Sequence, residues 1–355
     1  MPAREGTPII LHIVGARPQF IKLAPVIRAF KELNLNYRIL HTGQHYDYSM
    51  SDLHFSTLGL EDPHYHLGIG SDSHAKQTAR MLEKIEATLI DLKPSLVMVY
   101  GDTNSTLAGS LSAVKLGIHV AHVEAGVRSF DRSMPEEINR VLTDRIADYH
   151  FCPTRTSVDL LKAEGISGIF TGDVMYDALR IYEKISTSHP FHKPFVLTTI
   201  HRAENTNNTE KFSAIWEALK RISADVPIIF PIHPRTRTMY PWVEKEKHPS
   251  ITIIEPVSYL TMIAMIRDAY CMITDSGGVQ KEAFLLKTPC VTVRDTTEWP
   301  ETVSAGANRL APTDPDALYE AFRTMASVSF STSENPFGDG RASHHIAQFI
   351  LQTLD

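Results

Sequence analysis

The sequence is short of several things at once, and each shortage removes a class of protein. Three cysteines, Cys152, Cys271 and Cys290, are spread over 355 residues; they are far apart, odd in number and set in apolar sequence. They predict reduced core residues of a cytoplasmic protein, not a disulfide frame or a zinc site. Basic residues are not in excess: Lys and Arg total 35 against 41 Asp and Glu, a net charge of −6, which argues against nucleic acid as a partner. No apolar run approaches the ~18–20 residues of a membrane span, so no membrane partner is expected. The opening residues MPAREGTPIILHIVGARPQF lack the layout of a signal peptide. No low-complexity tract or short repeat is visible. GxGxxG, GxxxxGK[ST] and HExxH are all missing, which excludes the nicotinamide fingerprint, the P-loop and that zinc motif. The histidines are scattered, and no metal is expected.

What is present is an ordinary globular balance, 43% hydrophobic and 21% charged, with length enough for two domains. Short apolar runs alternate with amphipathic stretches. Pro8–Val14, Tyr37–His41, Leu96–Tyr100, His119–Val123 and Tyr149–Cys152 read as strands. Phe20–Glu32, Ser71–Leu92, Thr106–Leu116 and Glu137–Ala147 read as helices. The pattern pauses near Gly172–Pro194, a predicted linker, and restarts. Phe195–Ile200, Ile228–Pro231, Ile251–Ile254, Tyr270–Thr274 and Cys290–Val293 are the next strands, and Asn208–Ser223, Ser258–Asp268 and Gly278–Leu286 the next helices. This alternation predicts α/β architecture with two parallel sheets, helices on both faces. The expected domains are 1–172, 173–340 and a last helix within 341–355, which is expected to pack back on the first unit.

Ligands of such sheets bind at the carboxyl ends of the strands, so the residues just after each strand carry the function. After the first strand come Gly15-Ala16-Arg17-Pro18 and Lys22, which read either as an anion contact or as a turn with a surface arginine. Gln44 and His45 follow the second strand, with a substrate contact and a plain polar loop equally served. Asp102 opens the run Gly101-Asp102-Thr103-Asn104-Ser105-Thr106, richer in polar groups than helix capping alone needs. Glu124 ends an apolar run; beside apolar walls its pKa would rise, and the alternative is an ion pair with Arg128 or a later arginine. Glu136 and Glu137 follow Pro135, where a helix start alone explains acidic residues. In the second half, His201-Arg202 and Pro231-Ile232-His233-Pro234-Arg235 place basic groups after strands, and both prolines of the latter segment, Pro231 and Pro234, predict that it stays out of a regular helix or central strand. Ser276-Gly277-Gly278 opens a helix whose amides suit a phosphate, and Glu282, one turn on, suits vicinal ribose hydroxyls.

Taken in order, GARPQFIK, TGQHYD, GDTNSTLAG, HVEAGVRSFDRSMPEEINR, TIHRAEN, PIHPRTR, TDSGGVQKEA and RDTTEWPE resemble the non-hydrolysing UDP-N-acetylglucosamine 2-epimerases, from Gly15 to the NPFGDGR segment at 335–341. The resemblance implies a GT-B-like fold, two Rossmann-like parallel-sheet domains facing a cleft. It implies inversion at C2 of UDP-N-acetylglucosamine to UDP-N-acetylmannosamine, by anti elimination of UDP through a 2-acetamidoglucal and re-addition. It implies no cofactor, a UDP-sugar as substrate and a homodimer. On motif position the catalytic set would be Asp102, Glu124, Glu136 and His201, supported by Arg140. The substrate site would draw on Arg17, Lys22, Gln44, His45, His233, Arg235, Ser276, Gly277, Gly278 and Glu282. Trp299 in TEWPE stands where bacterial members usually have arginine, and Ala203 follows His201-Arg202 where a second arginine is common. The spellings GARPQFIK, GDTNST and HRAEN are also similar to a branch that acts on UDP-2,3-diacetamido-2,3-dideoxyglucuronate. A GT-B glycosyltransferase is a more distant reading, disfavoured by the carboxylates.

Overall fold

Ile10–Val14 and Leu96–Tyr100 are buried along their whole length, as suits strands covered on both faces, and every strand pair among the described residues of the computed structural model is parallel. Residues 8–44, 58–186, 188–246, 248–330 and 335–354 are described; His45 lies outside them. The first half runs β1 (Ile10–Val14), α1 (Arg17–Glu32), β2 (Tyr37–His41), β3 (Tyr65–His66), α2 (His74–Leu92), β4 (Leu96–Tyr100), α3 (Asn104–Lys115), β5 (His119–Val123), α4 (Pro135–Ile146), β6 (Tyr149–Cys152), α5 (Arg155–Ala163), β7 (Ile169–Phe170) and α6 (Val174–Tyr182). The second runs β8 (Val196–Thr199), α7 (Ala203–Thr206), α8 (Thr209–Asp225), β9 (Ile228–Pro231), α9 (Pro234–Met239), α10 (Trp242–Lys245), β10 (Ile251–Ile254), α11 (Tyr259–Asp268), β11 (Cys271–Thr274), α12 (Gly277–Leu285), β12 (Cys290–Thr292), α13 (Pro300–Ser304), β13 (Asn308–Leu310) and α14 (Pro315–Ala326), before the last helix, α15 (Ala342–Leu354).

The chain divides into two compact units, Met1–Ala178 with Asn335–Asp355, and Leu179–Glu334. In unit 1 the strand order among the described residues is β3-β2-β1-β4-β5-β6-β7; in unit 2 it is β10-β9-β8-β11-β12-β13. Each sheet is doubly wound, and its order reverses once, between β1 and β4 or between β8 and β11. Crevices at such reversals are where open α/β sheets hold ligands. Leu11, Ile13, Val97 and Val99 are fully buried between the helices of unit 1, and Ile228, Phe230, Cys271 and Ile273 play the same part in unit 2. Each such aliphatic or aromatic side chain contributes roughly 1.5–3 kcal/mol of burial. The three cysteines are free and buried, and burial pushes the Cys152 and Cys290 thiols up to about 12, far from a reactive thiolate.

The predicted linker is corrected: 174–182 is the helix α6, followed by a 3-10 turn at Glu183–Ile185. Its first half belongs to unit 1, where Asp177 accepts bonds from Ala342 N (3.0 Å) and Ser343 N (2.7 Å) and so holds the start of α15. Gly172 and Gly338, both at positive φ, meet there; a Cβ on Gly172 would lie 2.9 Å from the Phe337 carbonyl and one on Gly338 2.8 Å from Gly172 Cα. From this anchor α15 packs on α1, and Phe349 meets Tyr149 and Phe151 edge to face. Among the described residues no helix is long and apolar enough to cross a membrane.

Candidate active site

The loop after β1 owes its shape to Gln19. Its Oε1 accepts from Gly15 N (2.7 Å) and Ala16 N (3.0 Å), and its Nε2 donates to the Tyr100 carbonyl (2.8 Å). Those two amides are therefore occupied by the chain itself. Gly15 is required because a Cβ would strike Ser105 Oγ and Thr42 Oγ1 at 2.1 Å. Arg17 is half-buried at the first position of α1. Lys22, one turn further on, points into unit 1's sheet edge, with Nζ 2.6 Å from Glu124 Oε1.

Most of the polar run after β4 is structural. Thr103 caps α3 by accepting from Thr106 N; Thr106 donates to the Tyr100 carbonyl; Ser105 donates to Gln44 Oε1 at 2.6 Å; and Asn104 donates to Gln77. Gln44 thereby holds Ser105 with its side-chain oxygen. The half-buried Asp102 carboxylate turns to α4 and accepts from Arg140 Nη2. Asn139 donates to the Asp102 carbonyl (3.0 Å), so α4 grips this loop at two points.

Glu124 follows β5 directly with φ +76, a left-handed conformation that a non-glycine residue adopts at a cost of order 1–3 kcal/mol. Its amide and that of Ala125 both donate to the Phe151 carbonyl at 3.1 Å, which holds the turn in place. Its environment is corrected on two counts: the neighbour is Lys22, not an apolar wall, and Arg128 pairs instead with Asp144 and Glu164. Glu136 is exposed in the first turn of α4. The buried member of the pair is Glu137, which the sequence reading passed over. It accepts from Ser129 N, Ser129 Oγ and Phe130 N within 3.0 Å and from Arg140 Nη1 at 2.9 Å. Glu137 thus fixes the guanidinium that holds Asp102.

In unit 2 the organising group is Asp275, fully buried at the end of β11 and not singled out from the sequence. Its carboxylate accepts from His201 N, Arg202 N and Asn205 Nδ2 at 2.9–3.2 Å, and Oδ1 lies 3.4 Å from His201 Nδ1. The His201 ring thus lies beside this carboxylate. His201 stacks on His233 with ring centroids 5.6 Å apart. His233 caps α9 by accepting from Arg235 N, so the segment after it is a helix after all; Pro234 is tolerated at the first helical position, where its missing N–H matters least. Arg235 is exposed and donates to Asn207.

Ser276 caps α12 by accepting from Val279 N. Gly278 faces open space where a Cβ would point, and beside Gly277 lie Glu298 and Arg202. Glu298 joins Arg294 through Nη1 to Oε2 at 2.7 Å and Arg202 at 3.5 Å, a buried cluster that the RDTTEWPE segment carries and that was not anticipated residue by residue. Glu282 is buried one turn into α12. The nearby Trp299 receives the fully buried Lys281, whose Nζ sits 3.9 Å from the ring centroid. Among the described residues no three His, Cys, Asp or Glu side chains are grouped to hold a metal ion.

Residues 28–351 match the family described as UDP-N-acetylglucosamine 2-epimerase. A UDP-N-acetylglucosamine 2-epimerase homolog of Methanococcus maripaludis is 49% identical over 97% of this chain and 99% of its own. A UDP-2,3-diacetamido-2,3-dideoxy-D-glucuronate 2-epimerase of Pseudomonas aeruginosa is 44% identical over 97% and 99%. The crystal structure of Methanocaldococcus jannaschii UDP-GlcNAc 2-epimerase in complex with UDP-GlcNAc and UDP superposes with a TM-score of 0.89 at 42% identity, covering 97% of this chain and 99% of that one.

Proposed function

Because the chain belongs to the UDP-N-acetylglucosamine 2-epimerase family, and is therefore an isomerase, we propose that it interconverts UDP-N-acetylglucosamine and UDP-N-acetylmannosamine. The observation that carries this reading is the pair of ion pairs at one sheet edge, Lys22–Glu124 and Arg140–Asp102. Inversion at C2 requires a group that takes the C2 proton and groups that tolerate positive charge on the ring as the C1–O bond breaks. Glu124, with a cation at 2.6 Å favouring its charged form, is suited to accept that proton. Asp102, held by Arg140, is suited to stabilise the developing oxocarbenium. The electron pair of the C1–O bond leaves with UDP, and a C1=C2 glucal remains. Re-addition of UDP at C1 and protonation of C2 from the opposite face complete the cycle, with no net gain or loss of atoms.

Unit 2 supplies what the leaving diphosphate needs. The capped N-terminus of α12 presents amides at Gly277 and Gly278, and Arg202, Arg294 and His233 add donors. His201, oriented by Asp275, is the proton carrier on this side. Glu282 is assigned to the ribose hydroxyls. Glu136, Arg17, Gln44, His45 and Arg235 keep a place in the proposed substrate site by motif position alone. A homodimer and a cytoplasmic location accompany the reading, the former checked by light scattering.

A second reading has a specific observation behind it: the diacetamido-glucuronate enzyme is 44% identical over nearly the whole length, and Trp299 and Ala203 stand where arginines are common. Proton NMR of the protein with UDP-N-acetylglucosamine in D₂O separates the two. Deuterium at C2 together with a manno-configured UDP-sugar is the expected result. No exchange, from protein that still binds UDP, transfers the assignment to the diacetamido-uronate.

A further inference from the structure

Beneath the Asp102 loop and the Glu124 turn lie four charged or chargeable groups that the proposed reaction does not use. His122, on β5, and Asp144, on α4, have fully buried side chains, and that of Arg128 is 1% exposed. His122 Nδ1 is 2.6 Å from Asp144 Oδ1, and its Nε2 is 2.7 Å from the carbonyl oxygen of Gly101, the residue before Asp102. Asp144 Oδ2 accepts from Gly126 N at 3.0 Å, two residues after Glu124, and from Arg128 Nη1 at 2.6 Å. The far side of Arg128 is fixed by Glu164, through Nε at 2.8 Å and Nη2 at 2.9 Å. An unbroken path therefore runs from the backbone beside Asp102, through one imidazole and one carboxylate, to the backbone beside Glu124.

The hydrogen-bond chemistry fixes where the protons are. A carbonyl oxygen only accepts, so Nε2 carries a hydrogen. Nδ1 then faces a carboxylate oxygen at a distance that requires one hydrogen between them. Burial disfavours the charged form of Asp144, but His122 and Arg128 outweigh it and hold this carboxyl below the usual range. Its Oδ2 already accepts two donors, one of them a guanidinium. A single hydrogen therefore joins Nδ1 to Oδ1. His150, on β6, donates to the Asp144 carbonyl oxygen (2.7 Å), and burial pushes its pKa down, so it adds no competing charge. Cys152, also near Asp144, stays a thiol.

We propose that His122 and Asp144 form a positioning pair that sets the spacing between the Asp102 loop and the strained Glu124 turn. The pair touches no substrate; it acts on catalysis by geometry, where a displacement near 1 Å can cost about 10²-fold in rate. The role rests on the proposed epimerase reading, whereas the hydrogen-bonded path does not.

Two measurements test the pair. In the full chain with ¹⁵N-labelled histidine and no substrate, His122 Nε2 is expected to carry a hydrogen, bonded to the Gly101 carbonyl; an unprotonated Nε2 overturns the path. In Asp144→Asn, kcat is expected to fall about 10- to 100-fold while KM and UDP affinity stay within about threefold. Unchanged kcat overturns the positioning role. Should that variant fold poorly, Arg128→Lys, which keeps the charge but loses the fork to Glu164, is expected to lower kcat about tenfold with KM unchanged, and unchanged kcat there counts equally against the role. A wild-type protein that turns over no UDP-sugar overturns the functional reading instead, and leaves the NMR result to decide the pair.

Discussion

At the carboxyl edge of the first sheet the charged groups are paired and largely enclosed: Lys22 with Glu124, Asp102 and Glu137 with Arg140, His122 and Arg128 with Asp144. At the same edge of the second sheet the central carboxylate, Asp275, is occupied chiefly by backbone amides, while Gly278, His233 and Arg235 stand exposed. The two sheets are wound alike, so the contrast comes from side chains and not from architecture. Paired, buried charge suits a site that must hold carboxylates in a set protonation state. Open amides and exposed donors suit a site that must accept an anion already charged.

That division can be broken from either end. The largest effect is expected for Glu124→Gln, which removes the proton acceptor yet keeps a neutral isostere beside Lys22: C2 exchange in D₂O should fall by about 10³-fold, with UDP affinity by calorimetry near that of the wild type. Retained exchange would remove Glu124 from the chemistry and erase the contrast. Asp275→Asn comes next. It disturbs the ring of His201 and two loop amides, so kcat should drop roughly 10- to 100-fold. Unchanged kcat would reduce Asp275 to a backbone clamp. Smallest is Glu282→Ala, expected to weaken UDP binding by about tenfold, or ~1.4 kcal/mol, with turnover at saturation almost unaltered. If kcat falls instead, the separation into proton chemistry in unit 1 and nucleotide binding in unit 2 is too sharp.

The sequence made the main strands readable because each is a run of β-branched and aliphatic residues ended by glycine or polar residues, and Tyr37–His41, Leu96–Tyr100, His119–Val123 and Ile228–Pro231 lie where the pattern puts them. Elements of two or three residues, β3, β7 and β13, are too short to leave a period. The helices α5, α6 and α14 went unread although they are amphipathic, α6 because it lies in a stretch where strands pause. The site was readable as far as its residues follow strands directly: Asp102, Glu124, His201 and Ser276 do. What was hidden is pairing over distance. Nothing local tells that Lys22 meets Glu124, that Glu137 and not Glu136 is buried, or that Asp144 reaches back to His122. Such contacts follow from the strand order, which sets neighbours that are tens of residues apart in the chain. Glu124 shows the cost: its position was legible, but its surroundings were inverted until Lys22 was placed.

The return of α15 to unit 1 has a consequence for how the molecule is made. During synthesis the whole of unit 2 is made before Ala342–Leu354 exists, although domains ordinarily fold as units from the N-terminus onward. Until then the surfaces of α1 and β6 that meet this helix, Phe151 among them, stay wet, as does the anchoring carboxylate of Asp177. The nascent first unit must therefore wait, incomplete, for this helix, so a chain stopped before Ala342 would leave that unit unsealed.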